Sequence, residues 1–458
     1  MRGELNRCRA HRAENNHDPL MRPIILSREG TMSRRLASSS LSLGTMAALM
    51  LSVFTVSIGY GEIVPLLPYL VERLAGASGD ASEVALSTGL LTALYALSLF
   101  GFAPLWGRLS DRMGRRETLL IGLIGFGAAM LAFGFFENLI AIYVGRFLSG
   151  VFAAAVTPVA MAAVGDLATT EEARARGLTL ISLAGIGGFL LGPTLGVYLA
   201  SNPGNLLAIS GPAGALAIPL AWTSVLSVVV AALVWLTVRG NLAGKFPPQP
   251  KVPTPEPTIR IVPRLLTLAF IVSAGVGVFE VGLALRGKQE LGLTQYQIAS
   301  MFFECSLVMF VVQVLVFSPR VRPATTRWLI GPAFLVLAAG LALVPNAGNF
   351  TVLLVVIGAV AASAGILSPI LTYWVSNKAG SSQGRELGIQ TGVSSLGTAV
   401  GAAVGGLLFD VVWLPNASFL LVAALAALGV LLSMGLPEKL IPRTHEGHSV
   451  QESERDQG

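Results

Sequence analysis

Gly107-Arg108-Leu109-Ser110-Asp111-Arg112-Met113-Gly114-Arg115-Arg116 puts four arginines and one carboxylate into a short segment. It lies between two mostly apolar runs, 85–106 and 117–136. At 1.5 Å rise per residue each run makes a helix about 30 Å long, the thickness of bilayer hydrocarbon. The segment therefore reads as a basic connection between two membrane-crossing helices. Gly107 and Gly114 let the two helix ends approach closely and the chain turn sharply. One carboxylate among four arginines reads as a paired group, and its charge can also sit against a helix N-terminus. An anchor on a membrane surface needs the arginines but neither Asp111 nor the glycines.

Working outward, the same pattern fills the chain. Of 458 residues, 53% are hydrophobic and 12% charged, against about 25% charged in a soluble domain. Mean hydropathy is +0.71. Such a composition excludes an ordinary water-exposed surface, a disordered chain, a disulfide scaffold and a collagen-like fibre. Twelve runs are long and apolar enough to cross a bilayer: 43–71, 85–106, 117–136, 139–166, 177–200, 213–238, 263–285, 296–317, 328–345, 350–377, 387–411 and 414–436. They are too long and continuous for half-buried strands. The predicted fold is an all-α membrane protein. Residues 1–42 and 437–458 read as polar tails, with Met32 a candidate start. Residues 239–262, with Pro247-Pro248, Pro250, Pro253, Pro255 and Pro257, read as a semi-extended linker. The linker divides the spans six and six, into bundles 43–238 and 263–436.

Charge sets the orientation. With both tails cytoplasmic, the inner segments carry 27 of the 31 Lys and Arg. The outer connections hold only Arg73, Arg286 and Lys288, and Arg146 lies within span 4. The positive-inside rule predicts this asymmetry for a multi-pass protein of the cell membrane. Net charge is +6. The basic residues lie between apolar runs, so their expected partner is a membrane surface rather than nucleic acid. Cys8 and Cys305 fall in a polar tail and an apolar run, so no disulfide is expected.

The two halves repeat each other. Phe54-Thr-Val-Ser-Ile-Gly-Tyr-Gly61 recurs as Phe270-Ile-Val-Ser-Ala-Gly-Val-Gly277. Thr157-Pro158 followed by Asp166 recurs as Ser368-Pro369 followed by Asn377. Gly188, Gly192 and Gly196 recur as Gly397, Gly401 and Gly405. Three matches in order at nearly constant offset indicate duplication, and parallel six-helix repeats around a central site are a transporter architecture.

The 107–116 segment resembles the signature loop of the major facilitator superfamily, G-x-L-x-D-R-x-G-R-R, at every defining position. Gly188-xxx-Gly192-Pro193-xx-Gly196 resembles the span 5 antiporter motif of its drug-exporting members. There the proline bends the helix and the small residues form a close-contact face. Pro65-Leu-Leu-Pro68 is similar to the end of the first helix in twelve-span exporters. Arg146-xxx-Gly150 is similar to the R-x-x-x-G of span 4, where the arginine is associated with proton transfer. The resemblance implies two pseudo-symmetric six-helix bundles and a cytoplasmic latch built from Gly107, Asp111, Arg112, Gly114, Arg115, Arg116 and Asp166. Within that latch Asp111 is expected against a neighbouring helix end, and Asp166 is the expected partner of Arg112. The C-terminal half departs from the pattern. Its loop 318–327 keeps basic charge without the aspartate, and Ala402 stands where the second proline would be.

Ionisable groups inside spans usually face a cavity or a partner. Four qualify: Glu62, Arg146, Glu280 and Glu304. Counted from the outer span ends they lie roughly 7–12 Å deep, which suggests one shared cavity open to the outside. Three carboxylates and one arginine cannot all be cheaply ionised there, so a carboxyl that exchanges a proton is expected. Some multidrug members of the resembled family carry an acid near the outer proline of span 1, as Glu62 stands near Pro65, and the resemblance implies a proton role for it; Gln313 and Gln390 could add hydrogen bonds. Substrate and proton contacts are thus expected at Glu62, Arg146, Glu280, Glu304 and Gln313.

Other signals are missing. No phosphate-binding glycine loop supports ATP drive. His11, His17, His445 and His448 all lie in tails, and no nucleophile–base pair or metal-ligand set stands in the spans. Neither enzyme activity nor a cofactor is expected. Trp106, Trp235, Trp328 and Trp413 fall near span ends, as an interfacial belt requires. Asn349-Phe-Thr351 and Asn416-Ala-Ser418 are sequons on the outer side. The resulting expectation is a monomeric secondary transporter that exports a small organic compound by alternating access, coupled to protons. Two alternatives stay open: proton-coupled uptake of a nutrient or metabolite, and a non-transporting membrane sensor or assembly factor on the same fold.

Overall fold

The computed structural model describes residues 42–75, 80–136, 138–168, 170–201, 214–238, 258–316, 326–378, 383–409 and 416–436. The tails, linker residues 239–257, loop residues 317–325, Cys8, the four histidines and Trp413 lie outside them. Every regular element among the described residues is helical. Span 1 is Leu43–Ile63, a 3-10 turn Val64–Leu66 that carries Pro65, and Leu67–Ala75. Span 2 is Ala81–Met113, span 3 Arg115–Phe133, span 4 Leu139–Ala153 with Thr157–Leu167, span 5 Glu171–Ser201 and span 6 Gly214–Thr237. The second half has span 7 at Thr258–Leu285 with a π-helical turn Arg286–Glu290, then spans 8 to 12 at Gln295–Val316, Arg327–Leu343, Phe350–Lys378, Gln383–Leu407 and Ala417–Met434.

Eleven of these are long and apolar enough to cross a membrane. The twelfth expected run, 387–411, is the 25-residue helix of span 11, whose glycines and hydroxyls leave it less apolar than the rest. It is long enough to cross, and it sits between span 7 of its own half and span 2 of the other. Spans 3 with 6 and 9 with 12 pair at the periphery, while spans 2 with 11 and 5 with 8 join the halves. Span 7 is 83% buried over its most apolar window, which makes it the axis of the second half.

Each half has its own apolar core, around Phe126, Met130 and Phe133 in the first and Phe302, Phe334 and Phe419 in the second. The outward faces stay apolar: Val225, Val228, Leu236, Leu335, Val355 and Leu431 are all exposed. A soluble protein does not leave so much apolar surface in water; here lipid is the solvent of that face. Trp235 and Trp328 are exposed at span ends, as a belt predicts, whereas Trp106 turns its Nε1–H inward to Val151 O at 2.8 Å.

Pairing of the repeats is visible in backbone contact. A Cβ on Gly188 would press on Phe54 O and Ser57, one on Gly192 would lie 2.7 Å from Ile58 O, and one on Gly196 would lie 2.9 Å from Glu62 Cα. In the second half a Cβ on Gly397 would press on Phe270 O and Ser273, one on Gly401 on Ala274, and one on Gly405 on Val278. The small-residue face of span 5 thus seats span 1, and the equivalent face of span 11 seats span 7, with equivalent partners in sequence. Duplication is not complete elsewhere. Span 4 breaks between Ala153 and Thr157, whereas span 10 continues through Pro369.

Candidate functional site

Four side chains meet where spans 1, 2, 4 and 7 come together: Tyr60, Tyr95, Arg146 and Glu280. Arg146 of span 4 is fully buried. Its guanidinium carbon stands 4.7 Å from the Tyr95 ring centre and 5.5 Å from that of Tyr60. The Tyr60 and Tyr95 rings stack at 4.8 Å, and Phe189 continues the stack beyond Tyr60 at 5.7 Å. Aromatic faces attract the cation here, while Arg146 Nε and Nη2 have no hydrogen-bond partner among the described residues. The Tyr60 hydroxyl donates to Glu280 Oε2 at 2.6 Å. That bond joins the halves: Tyr60 belongs to span 1 and Glu280 to span 7.

Two cavities meet at this carboxylate. One, of about 340 Å³, runs between Tyr60, Tyr95 and Phe189 on one side and Thr391, Ser394, Ser395 and Thr398 of span 11 on the other. The second, of about 190 Å³, lies among spans 5, 7, 8 and 10. Phe189, Val276 and Glu280 line both. The larger cavity reaches Ala103, Pro158 and Thr391, towards the 107–116 hairpin. On the far side the halves are closed. Lys288, from the π-helical turn, reaches Glu72 Oε2 at 2.5 Å and donates to Pro68 O at 2.8 Å. Its Nζ also stands 4.9 Å from the Tyr69 ring centre, and Tyr69 donates to Leu293 O at 2.8 Å. The two halves are thus bonded to each other at the end away from the hairpin, and the larger cavity extends towards the hairpin instead, so one cavity shared by all four groups and open at the far end is not what forms.

The four ionisable residues separate accordingly. Arg146 and Glu280 come together through Tyr60. Glu62 is buried in the first half, where its Oε2 accepts from Thr223 Oγ1 at 2.7 Å, and it lines neither cavity. Its repeat equivalent is Val278, while Glu280 is equivalent to Val64, so the two acids are not symmetry mates. Glu304 is half-buried, with Oε1 facing Gly358 of span 10 and Oε2 unpartnered among the described residues. Gln313 is buried and lines neither cavity. Gln390 donates to Thr372 Oγ1 at 2.7 Å, tying span 11 to span 10. The reading of the sequence missed Tyr60, Tyr95 and the span 11 hydroxyls. The hydroxyls had a signal: positions 391, 394, 395 and 398 share one face of a helix.

The hairpin differs from its sequence reading in three respects. Span 2 stays helical to Met113, so only Gly114, at φ +112°, makes the turn. Gly107 lies inside the helix with nothing near its missing Cβ, and close approach does not explain it. Asp166 pairs with Arg115 (2.8 Å), not Arg112, and Asp111 pairs with the same Arg115 (2.6 Å), the residue that opens span 3. Arg115 also bonds Ser110. Arg116 donates to Trp235 O at 2.8 Å and covers its ring. Pro193 of span 5 lies inside a continuous helix and would touch a Cβ on Gly61 at 3.0 Å. The sequon Asn349 caps span 10 by accepting from Val352 N, and Asn416 sits at φ +65° before span 12.

Two six-helix bundles, bonded to each other at one end and enclosing a cavity with a buried carboxylate at the interface, define a membrane carrier for small solutes. Residues 46–385 match the profile of the Major Facilitator Superfamily, and the chain belongs to that family. It is 30% identical to multidrug resistance protein 2 of Bacillus subtilis over 369 residues, 79% of this chain and 88% of that protein. It is 24% identical to the quinolone resistance protein NorA of Staphylococcus aureus over 362 residues, 79% of this chain and 88% of NorA. Among solved structures it resembles the human organic anion transporter MFSD10, with TM-score 0.65 and 20% identity, over 85% of this chain and 99% of that one. The relatives and the fold are those of transporters, not enzymes.

Proposed function

We propose that this transporter exports organic cations with apolar substituents in exchange for protons, with Glu280 binding each in turn. The hairpin side is the cytoplasm, as the charge asymmetry indicates, so the cavity receives substrate from within. One observation carries the reading: Glu280 is the carboxylate at the junction of both cavities, bonded across the interface to Tyr60. An ionised carboxylate in a dry interior is costly. A proton or a bound cation removes that cost, so the two loaded forms cycle while the empty ionised form is held back. That condition is what exchange requires. Apolar walls select the rest of the ligand, in keeping with relatives described as multidrug and quinolone resistance proteins. Glu62 and Glu304, outside the cavities, are assigned no substrate contact.

The test is flux in vesicles loaded with tetraphenylphosphonium or ethidium under an imposed pH gradient. Wild-type protein is expected to move the cation against the proton gradient, and Glu280→Gln to abolish that coupling with normal membrane insertion. Coupled flux in Glu280→Gln contradicts the reading.

A further inference from the structure

The two cavities at Glu280 have different walls. The smaller one is lined by Phe279, Phe302, Cys305, Met309, Ala361 and Ala364, with Ile186 and Phe189 of span 5 beside them. Its hydroxyl, Ser306, donates to Phe302 O at 2.8 Å within its own helix. Besides Glu280, this wall holds only the Ser306 hydroxyl and the Cys305 thiol among apolar side chains. The larger cavity opposes aromatic rings to the span 11 hydroxyls. We infer that the smaller cavity is a dedicated subsite for one apolar substituent of the substrate, seated among spans 5, 7, 8 and 10 while the cationic centre rests at Glu280.

The inference rests on the proposed cation reading for the head group, and on the cavity alone for the substituent. Apolar cavities of about 150 Å³ take up a benzene ring, so about 190 Å³ admits an aryl group or a short alkyl chain. The ligand this arrangement selects is lopsided. It carries an apolar arm on one side of the charge and a body that tolerates hydrogen bonding on the other. A cation that is compact and polar all round fills only the larger cavity.

The full chain in lipid nanodiscs tests this with n-alkyltrimethylammonium ions from butyl to dodecyl. Binding is measured by calorimetry, with empty nanodiscs subtracted. Each methylene entering the chamber is expected to tighten binding roughly fourfold, the equivalent of about 0.8 kcal/mol, until the chamber is full. Ala361→Phe fills the chamber and should bring the plateau to shorter chains. Ala364→Leu serves if that variant does not fold. Met309→Ala enlarges the chamber and should move the plateau to longer chains. Glu280→Gln should weaken every member alike and keep the slope. A plateau at the same length in all variants, or an affinity independent of chain length in wild type, overturns the chamber. A retained slope with no Glu280 dependence overturns the head-group reading and leaves the chamber standing.

Discussion

The Tyr60 hydroxyl lies 2.6 Å from Glu280 Oε2, and this bond ties the first helix of one half to the first helix of the other at the head of the cavity. Hydrogen bonds to a charged group contribute about 1.5–3 kcal/mol. Tyr60→Phe removes the donor and keeps the ring that stacks on Tyr95. Cation affinity is expected to fall about tenfold or more, since the lost donor favours the ionised carboxylate, and thermal stability is expected to fall with the loss of the bond. An unchanged titration would remove Tyr60 from the site.

Acidification should weaken cation binding. A proton on Glu280 cancels the charge that attracts the substrate, so affinity falls as pH falls and rises as pH rises. Tyr60, Tyr95 and Arg146 from the first half and Cys305 from span 8 surround this carboxylate. None of them gains negative charge on acidification, so none reverses the sign. A quaternary ammonium probe has no proton of its own, which assigns the slope to the protein. Glu280→Gln should flatten the profile, read by binding titrations between pH 5 and 9.

Gly192→Val should destabilise the first half. A Cβ there would stand 2.7 Å from Ile58 O and 3.0 Å from Glu62 N, and backbone atoms of a packed helix cannot move aside. Overpacking of this kind costs about 1–3 kcal/mol. Gly101→Val, whose Cβ meets nothing, is the control. Thermal melts of both in detergent give the comparison; equal melting temperatures would contradict the close seating of spans 1 and 5.

Arg115 joins Asp111 to Asp166, so Arg115→Gln should slow transport more than Arg112→Gln, which loses neither bond. Initial flux rates at saturating substrate are the measurement. A larger loss in Arg112→Gln would return the latch to the pairing expected from the sequence.

Lys288 closes the far end through Glu72 and the Pro68 carbonyl. Lys288→Glu should raise labelling of a cysteine placed at Val64 from the outer side, and adding Glu72→Lys should restore closure. Restoration by the swapped pair separates a gate from a general packing role. If the swap leaves labelling high, the ion pair is not what holds the end shut.

The spans, the halves and the repeat were legible because long apolar runs and glycine spacing are local properties of a helix. Gly188, Gly192 and Gly196 could be assigned to a contact face from their spacing alone. What they touch, Phe54 to Glu62, follows from duplication only once the halves are superposed in space. The site was half legible. Arg146 and Glu280 stood out because charge inside a span is costly, yet the same criterion gave Glu62 and Glu304 equal weight. Depth along a helix was readable; direction around it was not, and direction places Glu280 at the cavity and Glu62 against Thr223. Tyr60 carried no signal, since a tyrosine in an apolar run is ordinary. Arg115 and Arg112 could not be ranked, because the hairpin turns at Gly114 alone.

In the proposed exchange a cation takes the place of a proton on Glu280. Calorimetric binding of tetraphenylphosphonium in buffers of different ionisation heat counts protons released. Proton release approaching one per cation on the acid side of the Glu280 titration, and falling as pH rises through it, is expected for wild type and for Glu62→Gln, and none for Glu280→Gln. Release that persists without the Glu280 carboxyl, or that vanishes with Glu62, would contradict it.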